Sequence, residues 1–484
     1  MRSNIKLLIA VTIAAVVLAA AVILLVNLTG GDKGDAAEET TSVTVNEGKL
    51  LYDKDPAAIE TIAISNGEGE YTIRKYADDS WFVEDFAGLI HDTTFIGKAL
   101  EYAASFAAAT TANEHADDLS VYGLDAPRAT ALITFEDGTV REIRVGNEAP
   151  ADDVTYCTLD GTDTVYAVDN AKVSYFLRDK FYFLEKTVYT PQAPENAENP
   201  EDYTKINSIT VKRKDIDYAI VLEYDERQDS DEIVTGNSAT HRMTEPVRLD
   251  LNPDTAYDAL NAIYGLTASG VAVAAPSEET LSSFGFDDPY AVIDFDIVGG
   301  DTTLTVGNAY TNEETGEKGR YVTATGFDEI FMFTDGTLPW LTITPEGITS
   351  PLITSTYIFA IDEFTVESKD VRKDFVLSGD KDDFAVTCDG EEVDPDLFKS
   401  FYQYFLKAPA EEIYLEENTD PADVTVTVVS DYGTDTVEFI NSADRLSVVR
   451  LNGRTSFRLR TTYVNRLLEN LDHLMNGESI IVTW

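Results

Sequence analysis

Four histidines, at positions 91, 115, 241 and 473, bound the acid–base and metal chemistry open to this chain. They fall in none of the spacings that build a site: no H-E-x-x-H, G-x-S-x-G, G-x-G-x-x-G or P-loop occurs. His91 precedes a helix start, His115 lies in a polar connection, and His473 sits among the polar positions of the last helix. Each reads as an exposed residue rather than a base or a ligand. Ser and Asp are plentiful, but triads are recognised in space and no Ser–His–Asp set stands out. Acidic clusters raise calcium. Asp380-Lys381-Asp382-Asp383 and Asp225 to Glu232 are the densest, yet neither has the alternating carboxylates, central Gly and distal Glu of an EF-hand loop. Paired carboxylates for glycoside hydrolysis have no single cleft to prefer. No residue is therefore singled out as catalytic, cofactor-binding or metal-ligating, and no cofactor is expected. Cys157 and Cys388 are the only cysteines and form no CxxC pair. One long-range disulfide stays open beside the favoured reading, two small buried thiols.

The composition points the same way. The chain has 36 basic and 87 acidic residues, a net charge of −51. Such a surface repels nucleic acid and anionic headgroups. Acidic composition also accompanies disorder, but 44% hydrophobic and 10% aromatic residues call for packed cores. The excess acid is read as a solvated surface rather than a cation store.

No Asp or Glu precedes Asp32, and Leu7 to Leu28 is almost wholly Ala, Val, Ile and Leu. At about 1.5 Å per residue that run crosses a hydrocarbon core of about 30 Å. A cleavable signal has a shorter apolar region. Ala19-Ala20-Ala21 resembles a cleavage site, but Val22 to Val26 continue the apolar run, so an uncleaved anchor is favoured. Arg2 and Lys6 place the N-terminus in the cytoplasm. Residues 1–30 are thus the cytoplasmic N-terminus and membrane anchor, contacting the membrane through residues 7–28. Everything beyond is expected outside the cytoplasm, and its roughly 450 residues suit two to four compact units.

Residues 31–49 read as a flexible acidic tether. Pro191 to Asp202 reads as a linker and Pro345 to Pro351 as a shorter break, which sets modules at 50–190, 205–350 and 351–484 with a linker at 191–204. The first two repeat each other. Leu119 to Pro127, LSVYGLDAP, matches Leu281 to Pro289, LSSFGFDDP. Each is followed by a hairpin ending in Val145-Gly146-Asn147 or Val306-Gly307-Asn308. Tyr156, Thr158, Gly161, Asp163, Val165 and Tyr166 then fall against Tyr321, Thr323, Gly326, Asp328, Ile330 and Phe331 without a gap. In the repeated element Gly123 and Gly285 permit a positive φ, Asp125 and Asp287 are expected to bond nearby backbone N–H groups, and a structural turn is favoured over a functional site.

Asn252-Pro253-Asp254 and Asp394-Pro395-Asp396 read as helix caps with Pro at the first helical position. Ala256, Leu260, Ile263 and Tyr264 follow the one at helical spacing, and Leu397, Phe398, Phe401 and Phe405 the other. In the first module Asp92 or Thr93 starts the equivalent helix, with Phe95, Ile96, Ala99, Leu100, Ala103 and Phe106 inward. Strands open each module, for example Tyr71 to Arg74, and hairpins follow the helix, as at Asp137-Gly138. Amphipathic helices close the first and third, near Val173 to Phe183 and Val464 to Met475. The expected fold class is α+β: an N-terminal transmembrane helix, then tandem repeated modules of antiparallel sheet with one or two packed helices each.

These residues resemble the bacterial domain family of unknown function DUF4340. The likeness rests on the N-terminal membrane segment, the unit Ile62 to Trp81, Tyr122 to Pro127, the Val-Gly-Asn hairpin end and the closing segment Val173 to Leu184. It is good over about 50–190, fair over 205–345, and rests on architecture beyond 357, giving at least two tandem copies. The family brings no catalytic residues to transfer. Some members are encoded beside ABC transport systems, which implies an accessory role. The expectation is a non-enzymatic scaffold or accessory protein of the bacterial cell envelope, with a membrane-protein partner such as an ABC transporter permease. A ligand- or cation-binding cell-surface ectodomain is the alternative, and an envelope hydrolase the third reading.

Overall fold

Three antiparallel sheets built on one strand order carry the repetition. The structure is a computed structural model that describes residues 49–484 apart from 151–152, 231–234, 237, 314, 409 and 484. Across the first sheet the order is Trp81–Val83, Gly69–Lys75, Ile59–Asn66, Ala129–Phe135, Val140–Glu148, Val154–Leu159, Val165–Asp169 and Thr110–Asn113. The second runs Leu249–Asp250, His241–Glu245, Ile220–Tyr224, Ile206–Arg213, Ala291–Ile297, Thr302–Thr311, Lys318–Ala324, Glu329–Thr334 and Gly270–Ala274. The third runs Glu391–Val393, Ala385–Cys388, Arg372–Ser378, Ile361–Ser368, Val424–Ser430, Gly433–Asn441, Leu446–Leu451, Arg454–Arg460 and Glu412–Ile413. In each, the chain steps outward from a central strand, crosses one face and lays a strand at the far edge. A four-stranded meander then begins again at the centre.

The third sheet, which lacks the Gly-Leu-Asp-x-Pro element, shares the central irregularity of the other two. The central pairing shifts register at Ile59/Thr61, at Ile206/Ser208 and at Ile361/Glu363, the same place in all three. Bulges of this kind bend a strand locally. Alternation of burial along Ala129–Phe135 and Val424–Ser430 puts one face of each sheet on a core.

Crossing helices follow the caps read from sequence, with one exception. Asp92 Oδ1 accepts from the backbone N–H groups of Thr94 and Phe95 and starts the helix Thr93–Ala104. Asp394 does the same for Pro395–Leu406, whose Phe398, Phe401 and Phe405 surround Phe364 of the sheet. Asn252 Oδ1 accepts from Asp254 and Thr255, but the helix behind it is only Tyr257–Asn261. Phe106 belongs not to the first helix but to the strand Ser105–Ala108, which pairs with Lys49–Asp53. The closing helix expected near Val173 to Phe183 is instead three short turns, Asn170–Val173, Ser174–Leu177 and Lys180–Phe183. In that stretch Phe176 and Phe183 are buried and Tyr182 stacks on Phe95 of the first helix. The last helix, Thr461–Asn476, is continuous and ends at Gly477, φ 70°.

Residues 49–484 form one compact unit, joined at two junctions of different construction. At the first, the segment after Leu184 zips along the second module. Val188 N–H donates to Leu266 O at 3.0 Å and Ala268 N–H to Lys186 O at 2.9 Å. Val271 and Ala274 of the edge strand pack against the first core. At the second, one apolar core runs without interruption from the second sheet into the third. The stretch read as a break is held on both sides. Asn252 N–H donates to Ile348 O, Ser350 N–H to Asp250 O and Gly236 N–H to Ser355 O, while Ile353 N–H donates to Leu406 O. Tyr402 OH donates to Thr356 O at 2.6 Å. Pro345 and Ile348 are buried there. By contrast, 191–200 is almost wholly exposed. The anchor expected at residues 7–28 and the tether expected at 31–49 lie outside the described residues, except that Lys49 opens the strand Lys49–Asp53. Among those described, no helix is long and apolar enough to cross a membrane.

Candidate functional site

The repeated turn proves to be a clamp between two motifs. In the first module Gly123 takes φ 69° and in the second Gly285 takes φ 89°, so both sit in the left-handed region that glycine enters without penalty. A Cβ on Gly123 would strike the Asn147 side chain and one on Gly285 the Asn308 side chain. A Cβ on Gly146 would meet Tyr122 O, and one on Gly307 would meet Phe284 O. The Val-Gly-Asn hairpin end therefore seats against the Gly-Leu-Asp-x-Pro turn in both copies, and Asn308 N–H donates to Phe284 O at 2.8 Å. Asp125 and Asp287 stay exposed, and among the described residues neither makes the backbone hydrogen bond expected of it. Where the third sheet has no such turn, Ile440 occupies the position of Gly146 and Gly307. The register runs straight through Ile440 and Asn441, whereas it shifts between Val145 and Glu148 and between Val306 and Ala309.

The histidines serve structure. His91 is half-buried rather than exposed, because its ring closes the corner between a strand and the first helix. Its Nε2 accepts from Val83 N–H and its Nδ1 faces Leu89 O at 3.0 Å. Burial lowers its pKa. His241 is buried between Thr240 Oγ1 and Ile206 O, and burial lowers its pKa too. His473 is half-buried against Ser479 O. Only His115 is exposed as expected. Cys157 and Cys388 are both free and buried, in different sheets. Asp380, Asp382 and Asp383 bond within their own turn. Among the described residues no group of three or more His, Cys, Asp or Glu is placed to hold a metal ion.

A cleft lies between the second and third sheets, about 980 Å³ in volume. Its walls are the strands Ile220–Tyr224 and His241–Glu245, the turn Glu226–Asp229, Tyr432, and the hairpin around Asn452. Arg227, Arg242, Arg248 and Arg454 all line it. A smaller chamber of about 190 Å³ shares Arg227, Arg242, Arg248 and Tyr432 and adds Asp435 and Thr434.

Beneath the cleft Asp250 is buried, 4% exposed, and is the charge that organises this wall. Arg227 reaches it at 2.7 Å and Arg242 at 3.1 Å. Its second oxygen accepts from the backbone N–H and the hydroxyl of Ser355. Burial alone would raise the pKa of this carboxyl, but Arg242, Arg227 and Ser355 together hold it below the usual carboxylate range. Arg227 also chelates Asp225. Arg454 crosses from the third sheet to grip Glu245 and the carbonyls of Thr244 and Pro246. The cluster Asp225 to Glu232, weighed for calcium, thus spends its first carboxylate on an arginine, while 231–232 lie outside the described residues. Sequence reasoning missed the cleft. The signal was there: three of its arginines fall between 227 and 248 in a chain with only 36 basic residues.

Residues 88–289 match the family model described as a domain of unknown function, DUF4340. The match begins just before the first helix and ends at Pro289 of the second turn, so it crosses from the first sheet into the second rather than outlining two copies. No curated protein and no solved structure matches the chain.

Proposed function

We propose that this chain is a membrane-anchored, extracytoplasmic, non-enzymatic scaffold or accessory protein, an auxiliary subunit of an ABC-type transport or envelope complex. The observation that carries the reading is the way the three sheets are joined. Both junctions are closed by backbone hydrogen bonds, and across the second Ser355 donates to the buried Asp250 and Arg454 pairs with Glu245, which suits a body that holds a fixed geometry against a partner. The engaged ring nitrogens of His91 and His241 fit the same reading, since neither offers a free base to a substrate. A hydrolase draws no support from the cleft, whose buried carboxylates are paired with arginines. Calcium draws none from the acidic clusters. The apolar run at residues 7–28 supports the anchor, and its flanking charges the orientation.

Mild cross-linking in native membranes, followed by detergent purification of the tagged full chain, tests the proposal. Reproducible capture of a transporter permease or ATPase subunit is the expected result. Recovery of the protein alone would count against it.

A further inference from the structure

We propose that the cleft between the second and third sheets binds a small ligand through one compact oxyanion, a phosphate or a carboxylate, gripped by Arg242 and Arg248. This inference does not depend on the scaffold reading. Four guanidinium groups lining one cleft are unexpected where acid outnumbers base more than twofold. Two of them are matched: Arg227 by Asp225 and Asp250, and Arg454 by Glu245. The other two are not. Arg242 has only its contact with Asp250, a carboxylate already shared with Arg227 and Ser355, and its buried Nε has no hydrogen-bond partner among the described residues. Arg248 is exposed and makes neither an ion pair nor a hydrogen bond among the described residues. Both like-charged neighbours, Arg227 and Arg248, act against the Arg242 charge, as does its burial. An oxyanion between Arg242 and Arg248, both of which line the cleft, would relieve that repulsion, the role for which guanidinium geometry is suited.

The remaining groups limit the ligand. Asp435, the carboxylate nearest this wall in the smaller chamber, is occupied by Asn452 Nδ2 at 3.0 Å and Thr354 Oγ1 at 3.4 Å. Glu223 and Glu226 are exposed in the cleft wall and repel a molecule that is anionic throughout. The ligand therefore carries one anionic group on a neutral body. Thr244 offers that body a hydroxyl, and the Tyr224 and Tyr432 hydroxyl oxygens, already bonded to Asp229 and Ser230, can still accept from it. The volume is at the upper end for a small-molecule site and accommodates a sugar phosphate or a sugar acid.

Titration calorimetry on the purified full chain in detergent, at low ionic strength, tests this with glucose 1-phosphate, glucuronate and glucose. Saturable binding of at least one charged probe, with none of glucose, is expected. Binding of the phosphate alone or of the carboxylate alone identifies the source, and binding of both means the site reads charge. Arg248→Ala should weaken binding roughly tenfold or more, Arg248→Lys should weaken it less, and Lys381→Ala on a remote turn should change nothing. Arg248 is exposed and makes no ion pair or hydrogen bond among the described residues, so its variants should melt like the parent. No saturable binding of either charged probe, equal binding of glucose, or undiminished affinity in Arg248→Ala would overturn the proposal.

Discussion

Two buried carboxylates, one near each junction, have opposite fates. Asp250, between the second and third sheets, is 4% exposed and meets Arg227, Arg242 and Ser355. Glu329, on the ladder that faces the first module, is 1% exposed and pairs across the sheet with Ala274, itself packed on the first core. Neither of its carboxylate oxygens has a hydrogen-bond partner among the described residues. Burial, with the charge of the nearby Asp328, pushes its pKa up to about 7. Burial costs a charge several kcal/mol unless partners replace the lost water. The second junction supplies those partners and can keep a charge at its centre. The first relies on backbone zipping and small apolar contacts, and holds its acid protonated at pH values where a free carboxyl is ionised.

The contrast is broken most severely by Asp250→Ala. It leaves Arg242 without its carboxylate partner and Arg227 with Asp225 alone, and should cost about 3–5 kcal/mol. Hydrogen exchange read separately over the three sheets should show the second and third loosening while the first keeps its protection. The parent should behave likewise in acid. Because the folded pKa of Asp250 lies below its unfolded value, its contribution is present above the unfolded pKa and is lost as pH falls through the folded one.

Glu329→Gln is the next largest effect and has the opposite sign. A raised folded pKa means the folded state resists ionisation, so the wild-type residue costs stability as pH rises from about 4.5 to about 7. The variant should gain on the order of 3 kcal/mol above pH 7 and nothing at pH 4, read by urea denaturation at the two pH values. An equal gain at both would show that ionisation is not the cause.

A smaller loss is expected of Gly307→Ala, whose new methyl meets Phe284 O at the clamp. Overpacking of this kind costs about 1–3 kcal/mol. Ile440→Ala at the equivalent place of the third sheet meets no turn, so its cost should follow lost apolar burial alone. Thermal melts of the two variants with retained glucose 1-phosphate binding would separate clamp strain from cleft damage. The smallest effect belongs to Arg454→Ala. Its pair with Glu245 is about half exposed on both sides, and pairs of that kind contribute about 0.2–1 kcal/mol. A larger loss would move the weight of the second junction from the buried acid to the cleft rim.

Much of the fold was legible in the chain. Period-two alternation, Asp-Gly turns and each of the duplicated motifs, Gly-Leu-Asp-Ala-Pro or Gly-Phe-Asp-Asp-Pro and Val-Gly-Asn, span only a few residues, where local chemistry decides structure. The capping Asp92 and Asp394 were legible for the same reason. The lengths of the helices behind them were not. Ala256 to Tyr264 has helical spacing but makes little helix, and Val173 to Phe183 breaks into turns, since tertiary packing sets where a short apolar run stops. The exposed role given to His91 failed likewise, because a strand that ends eight residues earlier supplies its partner.

The sequence by itself determined that this chain is acidic, repeated, poor in histidine and built of antiparallel hairpins. Each of those properties is a sum over residues or a pattern along them. Only the tertiary structure decided that Asp250 lies between Arg227 and Arg242, that Glu329 has no partner, and that Arg454 crosses from one sheet to another. Those outcomes depend on which residues of distant segments share a dry space, and charge in such a space is governed by its neighbours in three dimensions rather than by its place in the chain.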